Sequence, residues 1–277
     1  MRIFIVTVLA LLVGLALWRG VDRLADRREW ARLRATAPVN PARFDPAMLD
    51  GLPEPARRYL SFAIAEGAPL TPVAELRMTG TFRLGDASQP RAMAMSARQI
   101  LAPPHGFIWR MSAKDGVMRV GGSDSGAWTR FWLMGLIPVA RVGKGADHDR
   151  SALGRQVIEA VLWTPAAALP GPGVRWEEAG PDTARVVFTL DGHDHVVDLS
   201  LLPNGQPTRA VIARWSDVNP DRMHRLQPFG GDLLAFGQFD GFTIPTRVRI
   251  GHFPGTDAFF PFFEAEISEV RFLTSGH

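Results

Sequence analysis

The chain contains no cysteine. That removes disulfide staples, thiol catalysis and structural zinc–thiolate sites together, although it selects no compartment. Lysine is almost as scarce: Lys114 and Lys144 are the only two, so the basic side of the chain is nearly all arginine. The formal net charge is only +3 over 277 residues. Its excess gathers near the N-terminus and not in a stripe interleaved with aromatic residues, so no nucleic-acid partner is expected. There is no internal repeat. What is present is 46% hydrophobic residues, ample for a sizeable core.

The longest apolar run covers residues 3–18, with Thr7 and Gly14 as mild exceptions. As a helix it spans roughly 24 Å, short of the ~30 Å hydrocarbon layer; Gly20 and Val21, with Arg19 reaching the headgroups, bring it near the required length. A cleavable leader is the rival reading, because Arg2 precedes the run and Gly14-Leu15-Ala16 resembles a small-residue cleavage site. The bulky Leu17-Trp18 favours an uncleaved anchor over residues 1–21. Arg19, Arg23, Arg27, Arg28, Arg32 and Arg34 follow the span, which favours a cytoplasmic domain, whereas a short N-tail also suits an exported one; the side stays open. Residues 22–46 read as a basic juxtamembrane helix, resting on anionic headgroups or solvated, followed by a linker rich in proline.

Residues 47–277 read as one β-rich domain. A helix near residues 54–64 carries Pro55 in its first turn and a stripe of Ala56, Tyr59, Leu60, Ala63 and Ile64. From 74 to 84 apolar and polar residues alternate strictly, the pattern of a half-buried strand. Strands are expected again at 92–100 and 107–113, a turn at Gly121 to Gly126, and a strand after it. Between 147 and 170 the period becomes helical, with Ser151 as N-cap and Arg155 and Glu159 four apart. Hairpin signals at Asp191-Gly192 and Asn204-Gly205 then mark an antiparallel meander. It continues through 236–240 and 243–250, two strands meeting at Gly241, and ends with 262–272. Pro245 lacks a ladder N–H and should start or interrupt its strand, at an edge or a bulge. The fold class is therefore α+β: a large curved antiparallel sheet, a half-barrel, with one or two packed helices behind an N-terminal transmembrane helix.

Chemistry is sparsely signalled. Gly122-Ser123-Asp124-Ser125-Gly126 resembles a nucleophile elbow but has Asp124 where the serine belongs. Gly143-Lys144-Gly145 lacks the rest of a phosphate loop, and Asp147-His148-Asp149-Arg150 reads as the lead into the helix cap. His193 and His195, alternate residues of one strand with Asp191 or Asp198 near, are the weak metal or hydrolase alternative. No metal, cofactor or catalytic residue is otherwise expected. Trp109, Trp128, Trp132, Trp163 and Trp215 are the candidate lining of a ligand groove, with filling of a solid core as the default; Phe259, Phe260, Phe262 and Phe263 add to the aromatic supply.

Several segments in order carry a resemblance: Leu52-Pro-Glu-Pro-Ala-Arg-Arg-Tyr59, Gly154-Arg155 with Glu159, Trp163 and Pro165, Val174-Arg-Trp176, Phe229-Gly-Gly-Asp232 and Gly241-Phe-Thr-Ile-Pro-Thr246. In these the chain resembles a family of uncharacterised bacterial membrane-associated proteins, a domain of unknown function. Its tail is also similar, more loosely, to the half-barrel lipoprotein carriers of bacterial envelopes. That second resemblance implies a curved sheet wrapped around helices and, by analogy, membrane lipids, an acyl chain or a lipidated protein as partners. The expected function is that of a single-pass protein of the bacterial cytoplasmic membrane binding an apolar ligand without catalysis; the alternatives are the histidine-based hydrolase and an envelope scaffold.

Overall fold

The computed structural model describes residues 1–85 and 88–275, Arg2 by its backbone alone. Alternation begins where it was read: β1 spans Ala74–Leu84. Five more strands follow as successive hairpins, β2 (Arg91–Ala102), β3 (Gly106–Asp115), β4 (Met118–Ser125), β5 (Thr129–Leu133) and β6 (Ile137–Val142). After a helix, seven strands form the second meander: β7 (Val174–Glu178), β8 (Thr183–Leu190), β9 (His193–Leu201), β10 (Pro207–Ser216), β11 (Arg225–Phe239), β12 (Phe242–His252) and β13 (Phe260–Phe272). All pair antiparallel in one 13-stranded sheet ordered β6-β5-β4-β3-β2-β1-β13-β12-β11-β10-β9-β8-β7. The two meanders are thus joined at the centre, where β1 lies beside β13, and the outermost strands are β6 and β7. This is the half-barrel expected from the sequence.

Among the described residues, three α-helices accompany the sheet. The first, α1 (Arg2–Arg34), precedes it; α2 (Glu54–Ala63) and α3 (Ala146–Trp163) fill its concave side. The stripe foreseen on α2 is the buried one, Ala56, Tyr59, Leu60 and Ala63, with Ile64 just past it. The Tyr59 hydroxyl donates to the Val161 carbonyl of α3 (2.5 Å), tying the two helices together.

Three local readings need correction, and the one at Pro245 holds. Residues 121–125 belong to β4, not to a turn. A Cβ at Gly122 would collide with the Arg130 carbonyl, so the glycine there allows close approach of β5 and not chain reversal. Ser151 lies inside α3 and does not cap it: the helix starts after Gly145, with Asp147 and Asp149 at the positive end of its dipole. Pro245 lies within β12 at the bulge expected there: Phe236 faces Pro245 and Ala235 faces Arg247, which leaves Thr246 as an extra residue in β12, while Leu234 is the extra residue in β11. The Pro245 carbonyl accepts from Trp163 Nε1 at 3.2 Å. The turn itself is as read, with Asp240 (φ 50°) and Gly241 (φ 89°) both in the left-handed region that a tight hairpin requires.

The third correction concerns the helix after the apolar run. α1 does not end at residue 21, and its basic part neither lies free nor solvated all round. Arg23, Arg27, Arg28 and Arg34 face outward, while Asp22, Asp26, Trp30 and Leu33 turn onto the convex face of the sheet. Asp26 accepts from Ser123 Oγ (2.7 Å), which in turn receives Trp128 Nε1 (3.0 Å). Asp22 accepts from Trp132 Nε1 (2.9 Å) and from both terminal nitrogens of Arg141 (2.7 and 3.0 Å), with Arg130 3.4 Å away. Burial alone would raise the Asp22 carboxyl; the bonds from Arg141 and Trp132 outweigh it and hold it below the ordinary range. At Asp26 burial dominates and the carboxyl is pushed up. Trp18 meets Trp132 edge-on, ring centroids 5.4 Å apart, and Trp30 donates to Glu75 (2.9 Å).

Candidate functional site

Between α3 and the concave face is a cavity of about 190 Å³. Its walls are Phe82 (β1), Trp109 (β3), Phe131 (β5), Phe229 (β11), Ile250 (β12) and Phe262 and Phe263 (β13), and its roof is Ile158, Leu162 and Trp163 of α3. Strand alternation accounts for most of this lining: in β5, Phe131 points in, whereas Arg130 and Trp132 point out to α1. The neighbours Phe262 and Phe263 both reach the cavity where the β12–β13 register shifts and β13 carries an extra residue between Phe260 and Phe263.

One end of the cavity is charged. Arg155 of α3 donates to Asp124 (2.5 Å) and to Glu159 (2.7 Å), and its guanidinium lies 4.8 Å from the centre of the Phe107 ring and 5.2 Å from that of Trp109. The carboxylates have further donors: Thr129 Oγ1 on Asp124 and Gln99 Nε2 on Glu159, both at 2.5 Å. Opposite charge from Glu159 and Asp124 overcomes burial and raises Arg155 above its ordinary value. The network is a desolvated triad closed on itself.

Arg214 of β10 is different. Its Nε donates to the Ser151 carbonyl (3.0 Å) and its guanidinium lies 4.7 Å from the Phe229 ring centre, but among the described residues no carboxylate pairs with it. Burial, reinforced by Arg155, lowers it to about 10. Near it, Trp109 Nε1 is buried without an acceptor. A cation with no carboxylate partner and an indole N–H with no acceptor thus sit in the lining of an otherwise aromatic cavity.

His252, stacked on Phe262 at 5.5 Å, is held to about 4 by burial and by the Arg214 charge. It is neutral in the folded chain at pH 7, while the unfolded chain takes up its proton below about 6.5. Stability is therefore complete above pH 6.5 and falls as the pH drops from there to about 4, by at most ~3 kcal/mol. Thermal unfolding between pH 7 and 4.5 measures that slope, and His252→Gln flattens it.

Of the five tryptophans expected in a groove, two line this cavity, Trp109 and Trp163. Trp128 and Trp132 lie on the opposite face, covered by α1, because their parity in the strand directs them outward. Trp215 sits at the start of α3, donating to Asp147 (2.7 Å) under the Arg150 guanidinium. His193 and His195 do not make a site together: His193 is exposed and bonded to the Asp191 carbonyl (2.9 Å), His195 is buried beside Gly154 of α3, and Asp198 is engaged by Arg185 (2.7 Å). No cluster of three potential metal ligands exists among the described residues. Arg214, Asp124, Phe131 and Phe229 had no place in the groove as first read; the parity of β10, with Ala210 and Ile212 pointing inward, was the available signal for Arg214.

Two solved structures are similar to this chain at low sequence identity. A LolA superfamily protein from Nitrosomonas europaea is 10% identical, with a TM-score of 0.38 over 80% of this chain and 93% of that one. A putative outer membrane lipoprotein-sorting protein domain from Vibrio parahaemolyticus is 9% identical, with a TM-score of 0.33 over 74% and 87%. No curated protein matches. Residues 42–265 match one family model, and the chain belongs to that family, the family of unknown function DUF6544.

Proposed function

We propose that this chain is a single-pass protein of the bacterial cytoplasmic membrane, held by residues 1–21, whose domain binds an amphiphile without chemistry. In this reading residues 22–46 join the anchor to the domain at 47–277. The observation that carries it is the aromatic cavity ending at a half-buried arginine with no carboxylate partner among the described residues. The apolar end of the ligand fills the space between α3 and β13; an anionic end, such as a carboxylate, meets Arg214 and Trp109 Nε1. Size limits what enters. A cavity of 150 Å³ holds a benzene ring, so 190 Å³ encloses about eight carbons. A medium-chain acyl group fits whole; a longer one, on a lipid or a lipidated protein, extends through the mouth. Asp124 and Glu159 support a binding role over a hydrolytic one, since Arg155, Thr129 and Gln99 already occupy their oxygens.

Calorimetric titration of octanoate into the protein held in nanodiscs tests this. Saturable binding is expected. Arg214→Leu weakens it about tenfold or more, the value of one charge-assisted hydrogen bond, and Ile158→Trp, which fills the cavity, removes it. Absence of saturable binding overturns the reading.

A further inference from the structure

The β5–β6 hairpin carries its apolar side chains outward. Met134, Leu136, Ile137 and Val139 are each 42 to 55% exposed, on the outermost strand of the sheet and its turn, where a soluble protein places charge. Its position relative to α1 follows from the contacts already described. Trp128 shares Ser123 with Asp26, Arg130 approaches Asp22, and Trp132 packs on Trp18. Each step of two residues along β5 thus matches a step of four back along α1. The spacings agree: two strand residues advance about 6.6 Å and four helical residues about 6.0 Å. Continuing the match by one step brings Met134 level with Gly14, inside the segment of α1 that nothing in the protein covers; there the chain turns back, Leu136 N–H donating to the Leu133 carbonyl and Ile137 pairing with Leu133, so Leu136 lies at about the same level. The hairpin tip therefore extends some 6 Å past Trp18 beside the apolar half of the helix.

We propose that this hairpin is a second membrane contact, with Met134, Leu136 and Ile137 inserted among the acyl chains of the leaflet that α1 enters. The inference rests on α1 spanning a bilayer and on no property of the cavity. The bilayer is the occupant because the apolar surface of the hairpin is continuous with that of the helix, and because the cations beside it suit anionic headgroups. Arg19 and Arg141 lie at the level of Trp18. Arg119, whose carbonyl accepts from the Met134 N–H (2.7 Å), is exposed, with a side chain long enough to reach back to the headgroups. Inserted to this depth, the tip makes an interfacial anchor of ordinary reach and prevents the domain from swinging about the end of its helix.

The absence of native cysteine makes the test direct, because any introduced thiol is unique. Leu136→Cys, Leu11→Cys and Leu202→Cys, the last at the β9–β10 turn of the other meander, are labelled with NBD in the full chain. They are then reconstituted into phosphatidylcholine–phosphatidylglycerol vesicles carrying doxyl-labelled lipids. Expected is a blue-shifted emission and a quenching loss at Leu136→Cys comparable to that at Leu11→Cys, with Leu202→Cys unquenched. Quenching at Leu11→Cys without quenching at Leu136→Cys overturns the hairpin contact while leaving the span intact. Quenching at neither overturns the span itself, and quenching at all three overturns the hairpin as a specific contact.

Discussion

Replacing Arg155 with leucine lowers the unfolding free energy by about 3–5 kcal/mol, the cost of leaving buried carboxylates without their cation. Both Asp124 and Glu159 lose that partner at once, and the rings of Phe107 and Trp109 lose the guanidinium beside them. The sign reverses when the charge is removed as a unit: adding Asp124→Asn and Glu159→Gln to Arg155→Leu recovers most of the loss, since neutral amides need no counter-charge. Denaturant unfolding followed by tryptophan fluorescence measures both. A loss below about 1 kcal/mol in the single variant would mean that water reaches the triad and screens it.

Trp132→Ala is expected to be as costly, about 3–5 kcal/mol, because this fully buried side chain is the largest joining helix to sheet. It also has a local signature that a general loss of stability lacks. Without the indole, Asp22 loses a donor and Trp18 loses the ring it packs on, so the stretch between Trp18 and Asp26 loosens ahead of the rest. Trypsin should then cut after Arg19, Arg23 and Arg27 under conditions in which the sheet stays folded. Trp132→Phe keeps much of the packing and loses only the bond to Asp22, a cost of about 1–2 kcal/mol, with trypsin resistance largely retained. Equal cutting in all three proteins would show that α1 is not held by this contact.

Much of the architecture was legible in the residue order. β1 follows its alternation from Ala74 to Leu84, and the Asp-Gly and Asn-Gly turns fall where those pairs predict. Legibility failed where the sheet is covered on both faces. Under α1 the convex side of β3 to β5 is buried, so Ser123, Ser125, Trp128 and Trp132 sit inside although they alternate with residues of the concave core. Alternation cannot signal a face when both faces are dry. For the same reason the tryptophans could be counted but not assigned: two face the cavity, two face α1, and Trp215 faces the start of α3. The charged end of the cavity was half visible. The Arg155–Glu159 spacing pointed to a pair, but Asp124 and Arg214 join it only through strand pairing, which no local pattern encodes.

The seam between β1 and β13 sets an order of events during synthesis. Ala74 lies opposite Phe272, so the centre of the sheet forms only after nearly the whole chain has left the ribosome. The hydrogen bonds and ion pairs from α1 to the sheet, by contrast, go to residues between Glu75 and Arg141, all in the first meander. That half can dock on its helix while the second half is still being made, with sequence-local hairpins at low entropic cost. Until the last strand arrives, β1 has an open edge facing the nascent chain and the concave side has no floor. A truncation that removes β13 would therefore leave an anchored, half-built wall that cannot close, and an exposed strand edge offered to neighbouring copies.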